Sequence, residues 1–87
     1  AVEIVREHAG EGKRQARADR NYGICLVRLG RDEEAEPLFL RSYEGLMVED
    51  PTGSLMRSTL KWLIYLYEER GEEERARDFE ARLLALE

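Results

Sequence analysis

The stretches LGRDEEAEPLF, residues 29–39, and RGEEERARDFE, residues 70–80, align with Gly30 over Gly71 and Ala35 over Ala76, an offset of 41 residues. In the segments before each glycine, Tyr22 then falls over Leu63 and Leu26 over Tyr67. A glycine between two helical patterns reverses the chain in few residues, because it alone adopts positive φ cheaply. A small residue shortly after it, Ala35 or Ala76, lets the two helices approach. Each unit thus reads as helix, tight turn, helix, loop. Self-similarity at this period is the mark of a helical repeat array, whose units bury their apolar faces by stacking.

Outward from these stretches the chain reads as five helical segments, and no strand pattern competes. AVEIVREH is expected to be the tail of a preceding helix, stopped by the two glycines of AGEG. A second helix runs from about Lys13 to Leu29, with Ala18, Tyr22, Cys25, Leu26 and Leu29 as its apolar stripe. Asp32 suits the N-cap of the third helix, and Glu33, Glu34 and Glu36 suit the positive end of its dipole. Pro37 lies just past the first turn, where it deletes one backbone bond and crowds the carbonyl of Glu33. A helix start tilts to accept that, so the helix is expected to continue to about Glu49 with Ala35, Leu38, Phe39, Ser42 and Leu46 inward. VEDPTGS is turn chemistry, with Ser54 as the next N-cap. The fourth helix is expected over Leu55 to Arg70, with Met56, Thr59, Leu60, Leu63 and Tyr67 along one side. The fifth runs from Glu72 to Leu86, with Ala76, Phe79, Leu83 and Leu86 inward. The expected division is therefore a helix remnant and loop at 1–12, one hairpin at 13–53 and a second at 54–87.

At these residues the sequence resembles the tetratricopeptide repeat, in the longer variety of about 42 residues found in kinesin light chains and many bacterial proteins. Gly23 matches the small residue of the first helix of that repeat, Gly30 its turn glycine, Ala35 the small residue of its second helix and Phe39 its aromatic. The segments YGICLVRLGRDEEAEPLFLRSYEGL and LKWLIYLYEERGEEERARDFEARL are similar to the last two repeats of bacterial multidomain proteins, among them tetratricopeptide-bearing serine/threonine kinases. Asp19 departs from the pattern, standing where the short form carries a bulky aromatic. The resemblance covers about residues 13–87. It implies an all-α fold of antiparallel hairpins stacked as a right-handed α-solenoid fragment, within a larger bacterial regulatory protein. It further implies a groove lined by the outward positions of each first helix: Arg17, Arg20, Ile24, Val27 and Arg28, then Ser58, Lys61, Tyr65, Glu68 and Glu69. Guanidinium groups grip carboxylates bidentately, so this lining suits an extended peptide with acidic and apolar side chains. The function expected is protein–protein interaction or scaffolding.

Length and composition suit one small domain. The 87 residues suit one domain, 43% hydrophobic and 38% charged, too apolar for disorder and without an apolar run of the length that spans a bilayer. No signal-peptide pattern opens the chain, and one cysteine excludes an internal disulfide, so the cytoplasm is the expected compartment. The net charge of −5 is unevenly placed: residues 11–31 hold six Lys/Arg against two acids, residues 32–50 seven acids against Arg41. In KWLIYLY one helix face cannot bury every apolar side chain. A core on both sides of a sandwiched helix explains that run, and self-association through Trp62, with Leu84 and Leu86 on the last helix, is the alternative. The partner expected is a protein or peptide, or a second copy in a homodimer.

Other chemistries find little in the sequence. His8 and Cys25 lie on different helices with no convergent acid, and Cys25 on an apolar stripe is expected to be core. GEGK at 10–13 lacks the spacing of a phosphate loop. The acidic run around Gly71 lacks the ligand pattern of a calcium loop and reads as a solvated charged face. No cofactor or metal is expected. KRQARADR offers four cations that could track phosphates, yet an acidic helix follows it and no stacking aromatic accompanies it, which argues against nucleic acid.

Overall fold

A computed structural model of the protein describes the backbone of residues 2–86 and the side chains of residues 12–86. The described residues form four helices: α1 (Val2–Arg28), α2 (Asp32–Glu49), α3 (Ser54–Glu69) and α4 (Glu73–Ala85), with no strand among them. The protein is all-α. Gly10 and Gly12 do not break the chain: α1 runs through both, and the expected first and second helices are one. A glycine within a helix costs only about 1 kcal/mol relative to alanine, which continuous flanking helix outweighs.

The turn glycines behave as their sequence suggests. Gly30 and Gly71 have φ of 77° and 75°, the only positive values among the described residues. Behind Gly30, the amide of Arg31 donates to the Leu26 carbonyl at 2.8 Å and that of Gly30 to Val27 at 2.9 Å. Behind Gly71, Glu72 donates to Tyr67 at 2.8 Å and Gly71 to Glu68 at 3.1 Å. Both turns are thus the Schellman arrangement that satisfies orphan helix carbonyls. The starts of α2 and α3 shift by one residue from expectation: Arg31 and Gly53 occupy the caps, Asp32 and Ser54 are the first helical residues, and neither cap has a side-chain bond.

Successive helices are antiparallel. Along α1 and α2, Gly12 lies against Glu49, Ala16 against Gly45 and Gly23 against Phe39. Between α2 and α3, Glu36 meets Tyr67, Phe39 stacks on Trp62 and Ser42 meets Thr59. Between α3 and α4, Tyr67 stacks on Phe79 at 5.7 Å and Arg57 reaches the Leu86 carbonyl. α3 is therefore sandwiched between α2 and α4. This explains KWLIYLY: Leu63, Ile64, Leu66 and Tyr67 are buried, Trp62 is half-buried and only Tyr65 turns out.

The buried stripes of α2 (Ala35, Leu38, Phe39, Ser42, Leu46) and α3 (Met56, Thr59, Leu60, Leu63, Tyr67) are as the spacing predicts, α3 adding Leu55, Ile64 and Leu66. In α4, Ala76 is buried and Phe79, Leu83 and Leu86 are half-buried against the core. The expected stripe of α1 needs correction. Its buried residues are Ala16, Asp19, Gly23 and Leu26; Ala18, Tyr22, Cys25 and Leu29 are exposed. The face that meets α2 is built from small residues because the helices cross closely: a Cβ on Gly23 would lie 2.8 Å from the Phe39 ring. The apolar face of α1 points the other way, and Cys25 is on it rather than in the core. Asp19 is held by Gln15, whose amide donates at 3.0 Å, and by Arg41 at 3.5 Å.

One polar junction ties α2, α3 and α4 together. The Glu36 carboxylate accepts from the Tyr67 hydroxyl at 2.8 Å and from Arg70, with Arg75 at 3.8 Å. Burial pushes the Glu36 carboxyl upward, but the Arg70 and Tyr67 hydrogen bonds and the two arginine charges outweigh it and hold the group below its ordinary value. Burial, then the bond to Glu36, pushes the Tyr67 phenol up to about 12. In the second junction Ser42 donates to the Thr59 hydroxyl (3.2 Å), which itself donates to the Leu55 carbonyl at 2.9 Å. Two fully buried hydroxyls are satisfied in this way.

Candidate functional site

The outward face of α3 forms a cleft of about 560 Å³ lined by Ser54, Arg57, Ser58, Lys61, Trp62 and Tyr65. These six positions recur at three and four residues, so a single helix presents them in one row. Trp62 forms the floor. Its ring stacks on buried Phe39 (5.9 Å, 8° between planes) and meets Tyr65 edge-on at 5.9 Å (83°). The indole is thereby fixed by the core while one side stays open to the cleft. Tyr65 is 42% exposed, and the negative charge of Glu69 beside it raises its phenol pKa above the ordinary value.

α1 reaches this cleft through Arg20, which donates from Nη1 to the Ser58 hydroxyl at 3.0 Å and from Nη2 to Asn21 at 2.8 Å. Its Nε is buried and has no hydrogen-bond partner. The acceptors that hold Arg20 are neutral, so its charge is not compensated. Among the described residues, Arg14, Arg17, Arg20, Arg28, Arg57, Lys61 and Arg82 have no carboxylate within ion-pair distance, whereas Lys13, Arg31, Arg41, Arg70, Arg75 and Arg77 are paired. Six of these seven cations lie on α1 and on the cleft face of α3; Arg82, on α4, donates to the Tyr43 hydroxyl instead.

Of the groove residues expected from the sequence, the structure brings Arg20, Ser58, Lys61 and Tyr65 together. Ile24 and Val27 are half-buried and pack against the core cluster around Leu26 and Phe39. Arg17 and Arg28 are exposed on α1 and do not line the cleft. Sequence reasoning passed over Ser54 and Arg57, which extend the Ser58–Lys61–Tyr65 row by one turn toward the N-terminus of α3. Continuing that three-and-four spacing backward was the signal for them.

The self-association candidates separate. Trp62 belongs to the cleft. Leu86 is half-buried against the cluster of Leu46, Leu55, Met56 and Leu60, and its carbonyl accepts from Arg57 at 2.8 Å. Leu84 is 68% exposed. Cys25 lies on the exposed face of α1, and the His8 side chain lies outside the described residues. Among the described residues no group of three His, Cys, Asp or Glu is placed to hold a metal ion, and no helix is long and apolar enough to cross a membrane. No protein-family model, curated protein or solved structure matches the chain significantly.

Proposed function

We propose that the two hairpins are tetratricopeptide-like units of a right-handed solenoid and that the protein is an interaction module. It holds an acidic, partly apolar peptide or protein segment along the face shared by α1 and α3. The observation that carries this reading is the α3 cleft, with its aromatic floor of Trp62 and Tyr65 rimmed by Lys61, Arg57 and an uncompensated Arg20. An apolar floor with a few convergent polar groups is what a recognition site requires. Arg20 is already desolvated in part, and none of the three cations has a carboxylate partner among the described residues, so a carboxylate entering the cleft displaces none of the described ion pairs. Charge-assisted bonds of this kind are worth about 1.5–3 kcal/mol each.

The test is selection of binders from a displayed peptide library, with measurement of their affinity for variants. Enriched peptides should combine Asp or Glu with aliphatic or aromatic residues. Lys61→Glu and Arg20→Ala should each weaken them about tenfold or more, as loss of one charge-assisted bond implies. Binders enriched in Lys and Arg, or unaffected by both variants, would remove this reading.

A second reading is self-association, favoured by the exposure of Leu84 on the last helix. A module of that kind should lose its oligomeric state on Leu84→Glu and keep it on Arg20→Ala.

A further inference from the structure

α1 carries a row of exposed residues, Ala18, Tyr22, Cys25 and Leu29, with Tyr22 60% and Leu29 69% exposed. Their counterparts one 41-residue offset later begin with Thr59, Leu63 and Leu66, all at 0% exposure, because α3 is covered there. The α2 helix supplies that cover: Ser42 meets Thr59 and Phe39 stacks on Trp62. α1 thus presents the face that α2 covers on α3, with no described helix lying over it. By the same offset the counterpart of α2 is α4, whose Leu84 stands 68% exposed.

We infer that α4 of one copy packs on this face of α1 in a second copy, head to tail, in the register of the α2–α3 contact. Two contacts of that interface translate into pairs matched in kind, and a third into a cation beside an apolar side chain. The Ser42–Thr59 hydroxyl pair becomes Leu83 and Ala18, polar exchanged for apolar on both sides. The Phe39–Trp62 stack becomes Glu80 and Asn21, aromatic exchanged for polar on both sides. The Glu36–Arg70 ion pair becomes Arg77 and Leu29, where the methylene stem of the arginine lies along the leucine. Charge is complementary as well. Residues 11–31 hold six Lys/Arg against two acids, and residues 72–87 hold six acids against three arginines. Arg14, Arg17 and Arg28, with no carboxylate partner among the described residues, flank the row on α1. Because the two surfaces differ, the contact does not close on itself and generates an open series rather than a symmetric dimer.

This inference rests on the self-association reading and adds its register. Light scattering of the full chain over a concentration series should show a mass climbing from the 10.1 kDa monomer past the dimer. Tyr22→Glu and Leu84→Glu, both at exposed positions, should each be monomeric while keeping the wild-type circular dichroism. Mixed in equal amounts they should form a dimer and stop there, since each supplies the intact surface the other lacks. Alkylation of Cys25 should slow severalfold as wild-type concentration rises, and should be independent of concentration in Tyr22→Glu alone. A closed dimer that survives Leu84→Glu would overturn this register while leaving self-association standing. A monomer at every concentration, or a mixture that fails to pair, would overturn the inference.

Discussion

Gly23 sits where α1 meets the edge of the Phe39 ring, which is fully buried and stacked on Trp62 and so has little room to retreat. An alanine there gains about 1 kcal/mol of helix propensity but is overpacked by about 1–3 kcal/mol. The expected outcome for Gly23→Ala is a net loss of about 1 kcal/mol, a fall of about 4–8 °C in Tm by thermal unfolding. Gly30 presents the opposite case. Nothing lies within 4 Å of a Cβ added there, yet its φ of 77° places the residue in the left-handed region. Gly30→Ala should therefore cost about 1–2 kcal/mol through backbone conformation alone. These two glycines show what residue identity reveals at this scale. The role of Gly30 follows from the turn pattern around it. That of Gly23 was legible only as a small residue matching the repeat, because the ring it accommodates comes from another helix.

At the scale of elements, α2 and α3 were legible because each buries apolar side chains at helical spacing, and their stripes follow directly from it. α1 was misread for a physical reason. Its core face is Ala16, Asp19, Gly23 and Leu26, chosen for close approach rather than for apolarity, while its more apolar row faces outward. A hydrophobic pattern locates the face that avoids water, and no described helix lies over that face of α1. The continuous α1 was missed because two glycines in four residues read as a stop, whereas Gly12 lies against the Glu49 side chain near the end of α2.

The junction of α2, α3 and α4 at Glu36 gives pH dependences of defined sign. The Glu36 carboxyl is depressed in the folded state, so its contribution is present above the unfolded value of about 4.3 and is lost as pH falls through the folded one. The Tyr67 phenol is raised to about 12, so its contribution is intact below about 10 and is lost between 10 and 12 as the phenol ionises. Glu36→Gln should flatten the acid limb of a stability-against-pH curve from denaturant unfolding. In the same variant the Tyr67 pKa should fall from about 12, without reaching 10 because burial remains; tyrosinate absorbance checks it. In native-state hydrogen exchange, α3, packed between its neighbours, should be more protected than α4, which buries only Ala76 fully.

For the molecule as a whole, the basic stretch of α1 and the acidic α2 lie side by side, joined by Lys13–Asp50 at 3.0 Å and Arg41–Asp19 at 3.5 Å. These pairs have a strongly exposed partner and contribute little each. The larger consequence is that α2 draws no cation from the α3 cleft, where Arg20, Arg57 and Lys61 have no carboxylate partner among the described residues. A bound acidic segment should accordingly weaken as salt rises from low to physiological ionic strength, since surface charges are screened beyond about 8–10 Å. The 41-residue offset made the two-hairpin organisation legible before any coordinates. The cleft was legible in part: Arg20, Lys61 and Tyr65 were visible and Arg57 was not, and the packing of Trp62 on Phe39 depends on how α2 crosses α3.

The measurement that tests the central claim most directly is the emission of Trp62, the single tryptophan, during titration with a peptide enriched from the library. Saturable quenching or a blue shift, abolished by Lys61→Glu and weakened by added salt, is the predicted result, because the indole forms the floor of the cleft. Tight binding with unchanged Trp62 emission, or binding indifferent to Lys61→Glu, would place the working surface elsewhere on the molecule and contradict the account.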